Sequence, residues 1–168
     1  VAKIIKPGIT TEKIDDLCYQ FINDHGAYSA PLFYRGFPKS CCTSVNHIVC
    51  HGIPSEKILK DGDIVNIDVT VIKDGYHGDT SRMFYVGTPS ILAHRLTQNA
   101  YECLHIGIDL AKPGTSLRTI GRAIEQHAIK EGFSSVREYA GHGIGEKFHE
   151  NDIQVLHYDD PKLEEYII

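Results

Sequence analysis

Hydrophobic and polar positions along this chain recur at two periods, and those periods divide it into strands and helices. In the run DIVNIDVTVIKDGYHGDTSRMFYV, Asp63 to Val86, the period is two. Val65, Ile67, Val69 and Val71 fall on one face of a strand, while Asn66, Asp68 and Thr70 fall on the other. A second strand-like stretch begins at Tyr76. The Asp74-Gly75 pair between them favours a two-residue type I′ turn. With those two as the turn residues, Asp79 faces Thr70, and Asp68 lies one diagonal step away on the same face. His77 and Ser81 join that polar face. The predicted strands are thus Ile64–Ile72 and Tyr76–Val86, with others near Ser44–Val49 and Ile153–Tyr158.

The helical period appears three times. Lys6-Pro7-Gly8 is followed by Thr10, the apolar series Ile14, Leu17, Cys18, Phe21 and Ile22, and then Gly26. Lys112-Pro113-Gly114 is followed by Ser116, the series Ile120, Ala123, Ile124 and Ala128, and then Gly132, each landmark displaced by 106 positions. Both units read as turn, Ser/Thr cap, amphipathic helix and glycine stop. That grammar is common, but the constant offset favours duplication of a half-domain, and paired halves commonly create a cleft. A third helix is predicted from about Ser90, with Leu92, Leu96, Ala100, Cys103 and Leu104 on one stripe. Hairpin strands mixed with separated helices give an α+β chain. No linker or low-complexity stretch interrupts it, so residues 1–168 are expected to form one domain. The last residues, Lys162 to Ile168, stop inside an apolar run without a turn, and the chain is expected to be cut short there.

Composition narrows the function more than the fold. A hydrophobic fraction of 42% and a charged fraction of 23% are those of a globular domain able to bury a core. A formal charge of −5 argues against nucleic-acid binding by phosphate neutralisation. Nothing resembles a membrane span or an export signal. The cysteines Cys18, Cys41, Cys42, Cys50 and Cys103 are odd in number and include no C-x-x-C. They point to reduced thiols and a cytoplasmic location.

Candidate chemistry lies in three places. Diagonal neighbours in an antiparallel pair are about 7–8 Å apart at the backbone. Asp68 and Asp79 are therefore spaced to reach a pair of metal ions about 3.5–4 Å apart. A solvent-facing hairpin also carries aspartates at little cost, so the pair alone leaves both readings open. The second place is Ala140 to Glu150, where three glycines surround His142 and His149 follows beside Phe148. The third is Cys50-His51-Gly52-Ile53-Pro54, with a histidine at an expected strand end. Two aspartates and a histidine suit Mn²⁺, Fe²⁺, Co²⁺ or Zn²⁺ better than a soft thiolate site would. No G-x-S-x-G, Walker loop, G-x-G-x-x-G or H-E-x-x-H occurs. Cys50 and His51, as strand neighbours, would point to opposite faces and make a poor nucleophile–base pair.

Five motifs in order, Cys50-His51-Gly52-Ile53-Pro54, Asn66-Ile67-Asp68, Gly78-Asp79-Thr80-Ser81-Arg82, Gly141-His142-Gly143-Ile144-Gly145 and Phe148-His149-Glu150, resemble the type I methionine aminopeptidases of the bacterial or organellar kind. The resemblance covers essentially the whole chain. It implies the pita-bread α+β fold with two pseudo-symmetric halves, here incomplete at the C-terminus. It also implies an enzyme that removes the initiator methionine from nascent polypeptides, near the ribosome, when the next residue is small. Carried over motif by motif, Asp68, Asp79 and His142 match three of five ligands to two divalent metal ions (cobalt, manganese, iron or zinc). His51 and His149 match catalytic residues that also contact substrate. Tyr34, Phe37, Cys42 and Phe148 match the methionine pocket, where aromatic edges and a thiol suit a thioether.

The family's other two ligands are glutamates beyond the equivalent of Ile168, one of them also the general base. Glu150, Glu164 and Glu165 do not stand in for them, so this chain by itself is expected to be poorly active. Pro31 occupies a pocket position where the family often has cysteine. Two rival readings remain, an Xaa-Pro aminopeptidase or prolidase relative and a non-catalytic peptide-binding module of the same fold. Gly141 to Gly145 and Cys50 to Pro54 favour the methionine enzyme over the first. Asp68, Asp79 and His142 argue against the second for the parent protein, while the missing glutamates argue for it in this fragment.

Overall fold

A computed structural model describes residues 1–150 and 154–168, and they fall into two compact units. Unit 1 comprises Val1–Ser90 with Ile144–Phe148, and unit 2 comprises Ile91–Gly143 with His149–Ile168.

Unit 1 is built round one long hairpin. Strands β3 (Ile64–Lys73) and β4 (Tyr76–Tyr85) pair antiparallel from Ile64↔Tyr85 to Lys73↔Tyr76, with Thr70 opposite Asp79 and Asp68 opposite Ser81. This is the register expected from the alternation. Asp74 and Gly75 both have positive φ, 52° and 85°, as a type I′ turn requires. The other edge of β3 carries β2 (Cys42–Val45) at its start and the two-residue β1 (Tyr28–Ser29) near its end. β2 ends four residues before the predicted Val49, because Asn46 turns left-handed at φ 53°. Cys50 and His51 therefore leave the strand altogether, and His51 itself sits at φ 55°.

Helix α1 (Thr11–Asp24) starts where Thr10 Oγ1 accepts the Lys13 N–H at 3.2 Å. Its apolar stripe packs on the inner face of the sheet. Ile14, Cys18, Cys41, Val45, Leu59, Val65, Ile67 and Val86 form one buried core. Thr11 and a carboxyl, Asp15, also lie inside this face. Asp15 accepts from the Ser40 and Cys41 N–H groups at 2.8 and 3.0 Å and from Ser40 Oγ at 2.6 Å. The buried carboxyl is thereby satisfied and holds the segment that leads into β2.

Unit 2 contains α2 (Ile91–Leu110), α3 (Leu117–Lys130) and the small antiparallel pair β5 (Gly141–Gly143) and β6 (Glu150–Val155). The strand expected over Ile153–Tyr158 lies earlier, as β6, and its first predicted residue, Ile153, is outside the described residues. The predicted third helix is α2, and the second repeat helix is α3, capped where Ser116 Oγ accepts the Thr119 N–H at 3.3 Å.

The duplication extends to backbone hydrogen bonds. Gly8 N–H donates to Leu59 O, and Gly114 N–H donates to Ile168 O, at 2.8 and 3.0 Å. Thr11 N–H donates to Lys57 O at 3.0 Å, and Leu117 N–H to Tyr166 O at 2.8 Å. At the far ends, Ala27 N–H reaches Ile22 O and Phe133 N–H reaches Ala128 O, at 3.1 and 2.8 Å. The matched donors are 106 positions apart, the offset already present in the amino-acid pattern.

Candidate functional site

In unit 1 the polar face of the hairpin gathers its carboxylates beside β2. Cys42 is the register partner of Asp68 across β2–β3, and Asp79 lies one diagonal step from Asp68 across β3–β4. The Cys42 thiol is pushed up to about 12, first by burial and then by Asp68, Cys50 and Asp79. Both aspartates thus act on one buried sulfur, as Asp15 of α1 also does. Asp68 is half-buried and Asp79 is exposed.

His51 is held by its neighbour. A Cβ on Gly52 would lie 2.3 Å from Thr43 O, so only glycine allows the loop to run against β2. The loop is fastened there by Thr43 N–H to Gly52 O at 2.8 Å and by Gly52 N–H to Ser44 Oγ at 3.1 Å. Pro54 is buried, while His51 is exposed.

Tyr34 and Phe148, two of the residues expected in the pocket, meet, with ring centroids 4.9 Å apart. Tyr34 opens a single 3₁₀ turn, Tyr34–Gly36, preceded by left-handed Phe33 at φ 66° and containing left-handed Arg35 at φ 49°. Such positions cost about 1 kcal/mol or more apiece and mark a turn over-determined by its surroundings. Phe37 closes that turn, its carbonyl accepting the Phe33 N–H at 2.7 Å. A residue without an expected role completes the cluster. His77 stacks on Phe148 at 5.5 Å, its backbone N–H donates to Gly145 O at 2.7 Å, and its Nδ1 lies 3.1 Å from the same oxygen. Tyr76 OH adds a 3.3 Å bond to Glu146. The start of β4 therefore fixes Ile144–Phe148 to unit 1. The alternation put His77 on the polar face, but nothing local in sequence tied it to residues nearly seventy positions away.

In unit 2 His142 lies on β5, where Gly143 meets Glu150 after a register shift. Its Nδ1 is 2.9 Å from Gly143 O, and a carbonyl only accepts, so Nδ1 is the donor in this contact and Nε2 is the nitrogen a metal would take. A backbone carbonyl held at the other ring nitrogen is the orientation suited to a metal-binding imidazole. The His149 ring lies 4.2 Å from the His142 ring, and His149 is exposed.

Among the described residues no three His, Cys, Asp or Glu side chains group tightly enough to enclose an ion. Taken unit by unit, the donor types nevertheless suit a divalent metal. Two hard carboxylates share one hairpin face in unit 1, and a borderline imidazole in unit 2 presents the correct nitrogen.

A model of metallopeptidase family M24 matches residues 1–167. The chain belongs to that family. It is 61% identical over 157 residues to the methionine aminopeptidase of Salmonella typhimurium, covering 92% of this chain and 59% of that protein. The crystal structure of methionine aminopeptidase from Rickettsia prowazekii superposes with a TM-score of 0.92 at 53% identity, covering 95% of this chain and 64% of that one. The X-Pro aminopeptidase of Thermotoga maritima, at 22% identity and a TM-score of 0.76, shares the fold alone. The α+β pita-bread fold of family M24 is thus the fold of this chain, which spans about 59% of the length of the curated relatives it matches. No helix among the described residues is long and apolar enough to cross a membrane.

Proposed function

We propose that the whole protein is a metal-dependent methionine aminopeptidase, which removes the initiator methionine from nascent polypeptides in the cytoplasm, near the ribosome, when the second residue is small. The observation that carries this reading is 61% identity to a methionine aminopeptidase across 92% of the chain. The Xaa-Pro alternative has only fold-level likeness behind it.

Asp68, Asp79 and His142 are the ligands this chain contributes to two divalent ions. Bound there, the metal supplies a Lewis acid for the scissile carbonyl and acidifies water. The remaining work falls to the protein. Asp68 and Asp79, on the hairpin face turned away from the hydrophobic core of unit 1, place two carboxylates where the cations are needed. His149 donates a hydrogen bond to the substrate amide or carbonyl, which strengthens as charge develops on that oxygen. His51, on the loop pinned by Gly52, hydrogen-bonds near the scissile nitrogen. Tyr34, Phe37, Cys42 and Phe148 receive the methionine side chain, whose thioether packs favourably on aromatic edges and excludes water.

The whole protein, supplied with Mn²⁺ or Co²⁺, is expected to release methionine from Met-Ala peptides and to leave Met-Lys peptides largely intact. Equal cleavage of both, or selective cleavage of Xaa-Pro peptides, contradicts the assignment.

A further inference from the structure

In unit 1, His77 holds the segment Ile144–Phe148 at two points. Within the described residues β4 pairs with β3 alone, so its outer N–H groups need other acceptors. The His77 N–H donates to Gly145 O at 2.7 Å. Its Nδ1 lies 3.1 Å from the same oxygen, and a carbonyl only accepts, so Nδ1 is the donor there. The segment is also closed on itself by Gly145 N–H to Lys147 O at 3.2 Å. Three residues after Gly145, the Phe148 ring lies 5.5 Å from the His77 ring with the planes 21° apart. Tyr34 meets the same Phe148 ring at 4.9 Å and 52°. All three rings are half-buried, and none belongs to the buried core of unit 1, so the cluster does not serve to fill that core. Histidine suits this place because it both stacks and donates. Phenylalanine would only stack, and asparagine would only donate.

We propose that His77 is a positioning residue for substrate selection, which fixes the Phe148 ring against Tyr34 and so sets the space left for the methionine side chain. The inference rests on the reading of Tyr34 and Phe148 as walls of that pocket. His77 itself makes no contact with substrate and acts through Phe148. A thioether chain is flexible, and its contact with an aromatic ring holds only while sulfur and ring stay about 5 Å apart. A half-buried ring released from its neighbour turns about its side-chain bonds and loses that contact. The loss is felt equally by bound substrate and by the transition state, because the side chain is remote from the bond that breaks. Such a loss appears in KM and not in kcat.

The test uses the whole protein loaded with Mn²⁺. His77→Ala is expected to raise KM for a Met-Ala peptide about tenfold and to change kcat by less than about threefold. The dissociation constant of L-methionine, read by calorimetry without turnover, should rise by a similar factor. His77→Phe restores the stack and His77→Asn the bond to Gly145, so each should bring KM back to about threefold above wild type. Phe148→Leu should raise KM by itself, and adding His77→Ala to it should raise KM by less than about twofold more. Full multiplication of the two effects means that His77 does not act through Phe148 and overturns the proposal. A KM within about twofold of wild type in His77→Ala, or a fall in kcat at constant KM, does the same. A KM rise that excess Mn²⁺ erases assigns the effect to the strand bearing Asp79 and also overturns it. Should His77→Ala fail to fold, wild-type KM values in both His77→Phe and His77→Asn overturn it instead. A wild type that leaves Met-Ala peptides intact removes the proposed function and the positioning role with it. With a wild type that turns them over, the KM split and the double-variant cycle decide His77 alone.

Discussion

At the level of single residues, the loop that carries His51 rests on the smallest side chain in the chain. Gly52 touches Thr43 so closely that an added methyl would lie 2.3 Å from a backbone oxygen. Gly52→Ala must therefore push the loop off β2 and break the 2.8 Å bond from Thr43 N–H. It is expected to cost about 2–4 kcal/mol in urea unfolding. A loss under about 0.5 kcal/mol would mean that the loop is not held this way. A second residue-scale expectation concerns pH. Burial holds the His157 imidazole below its ordinary range, so the folded state disfavours its charged form. The unfolded chain then binds the proton first. The stability that neutral His157 contributes is present above about pH 6.5 and is lost as pH falls through and below that value. The urea midpoint should fall between pH 7.5 and 5.5, and His157→Phe should flatten that slope. An unchanged slope would place the acid sensitivity elsewhere.

Among elements, what could be read from the amino-acid pattern was what depends on near neighbours. The β3–β4 register follows from a two-residue Asp-Gly turn and a period of two, and Thr70 does face Asp79. The helix starts follow from Thr10 and Ser116, whose side chains cap the turns they precede. Thr10→Ala and Ser116→Ala should each cost about 1 kcal/mol by urea denaturation. Equality with wild type in either would break the equivalence of the two caps. Long-range partners were not legible. β2 stops early at Asn46, and His51 adopts a left-handed backbone away from any strand. His77 serves Gly145 and Phe148 across a separation that no local pattern reports. The motifs named most of the candidate side chains, but how His51 and Phe148 are held had to come from backbone contacts.

For the molecule as a whole, the 106-residue repeat is more than a trace of ancestry. It gives each unit the same capped helix and the same strand-like bridges, Thr10↔Ile58 in one and Ser116↔Ile167 in the other. Upon that common frame the units carry different donors, the carboxylates Asp68 and Asp79 in unit 1 and the imidazoles His142 and His149 in unit 2. Membership of a metallopeptidase family calls for metal-binding side chains, and the ligand role proposed for Asp68, Asp79 and His142 answers to it. The claim stands or falls on the hairpin. Calorimetric titration of the metal-free whole protein with Mn²⁺ should show tight binding in the wild type. Asp79→Asn, which keeps the size but removes the charge and turns one accepting oxygen into a donating NH2, should abolish it while leaving the thermal unfolding profile in place. Unchanged Mn²⁺ affinity in the Asp79→Asn protein would contradict the account.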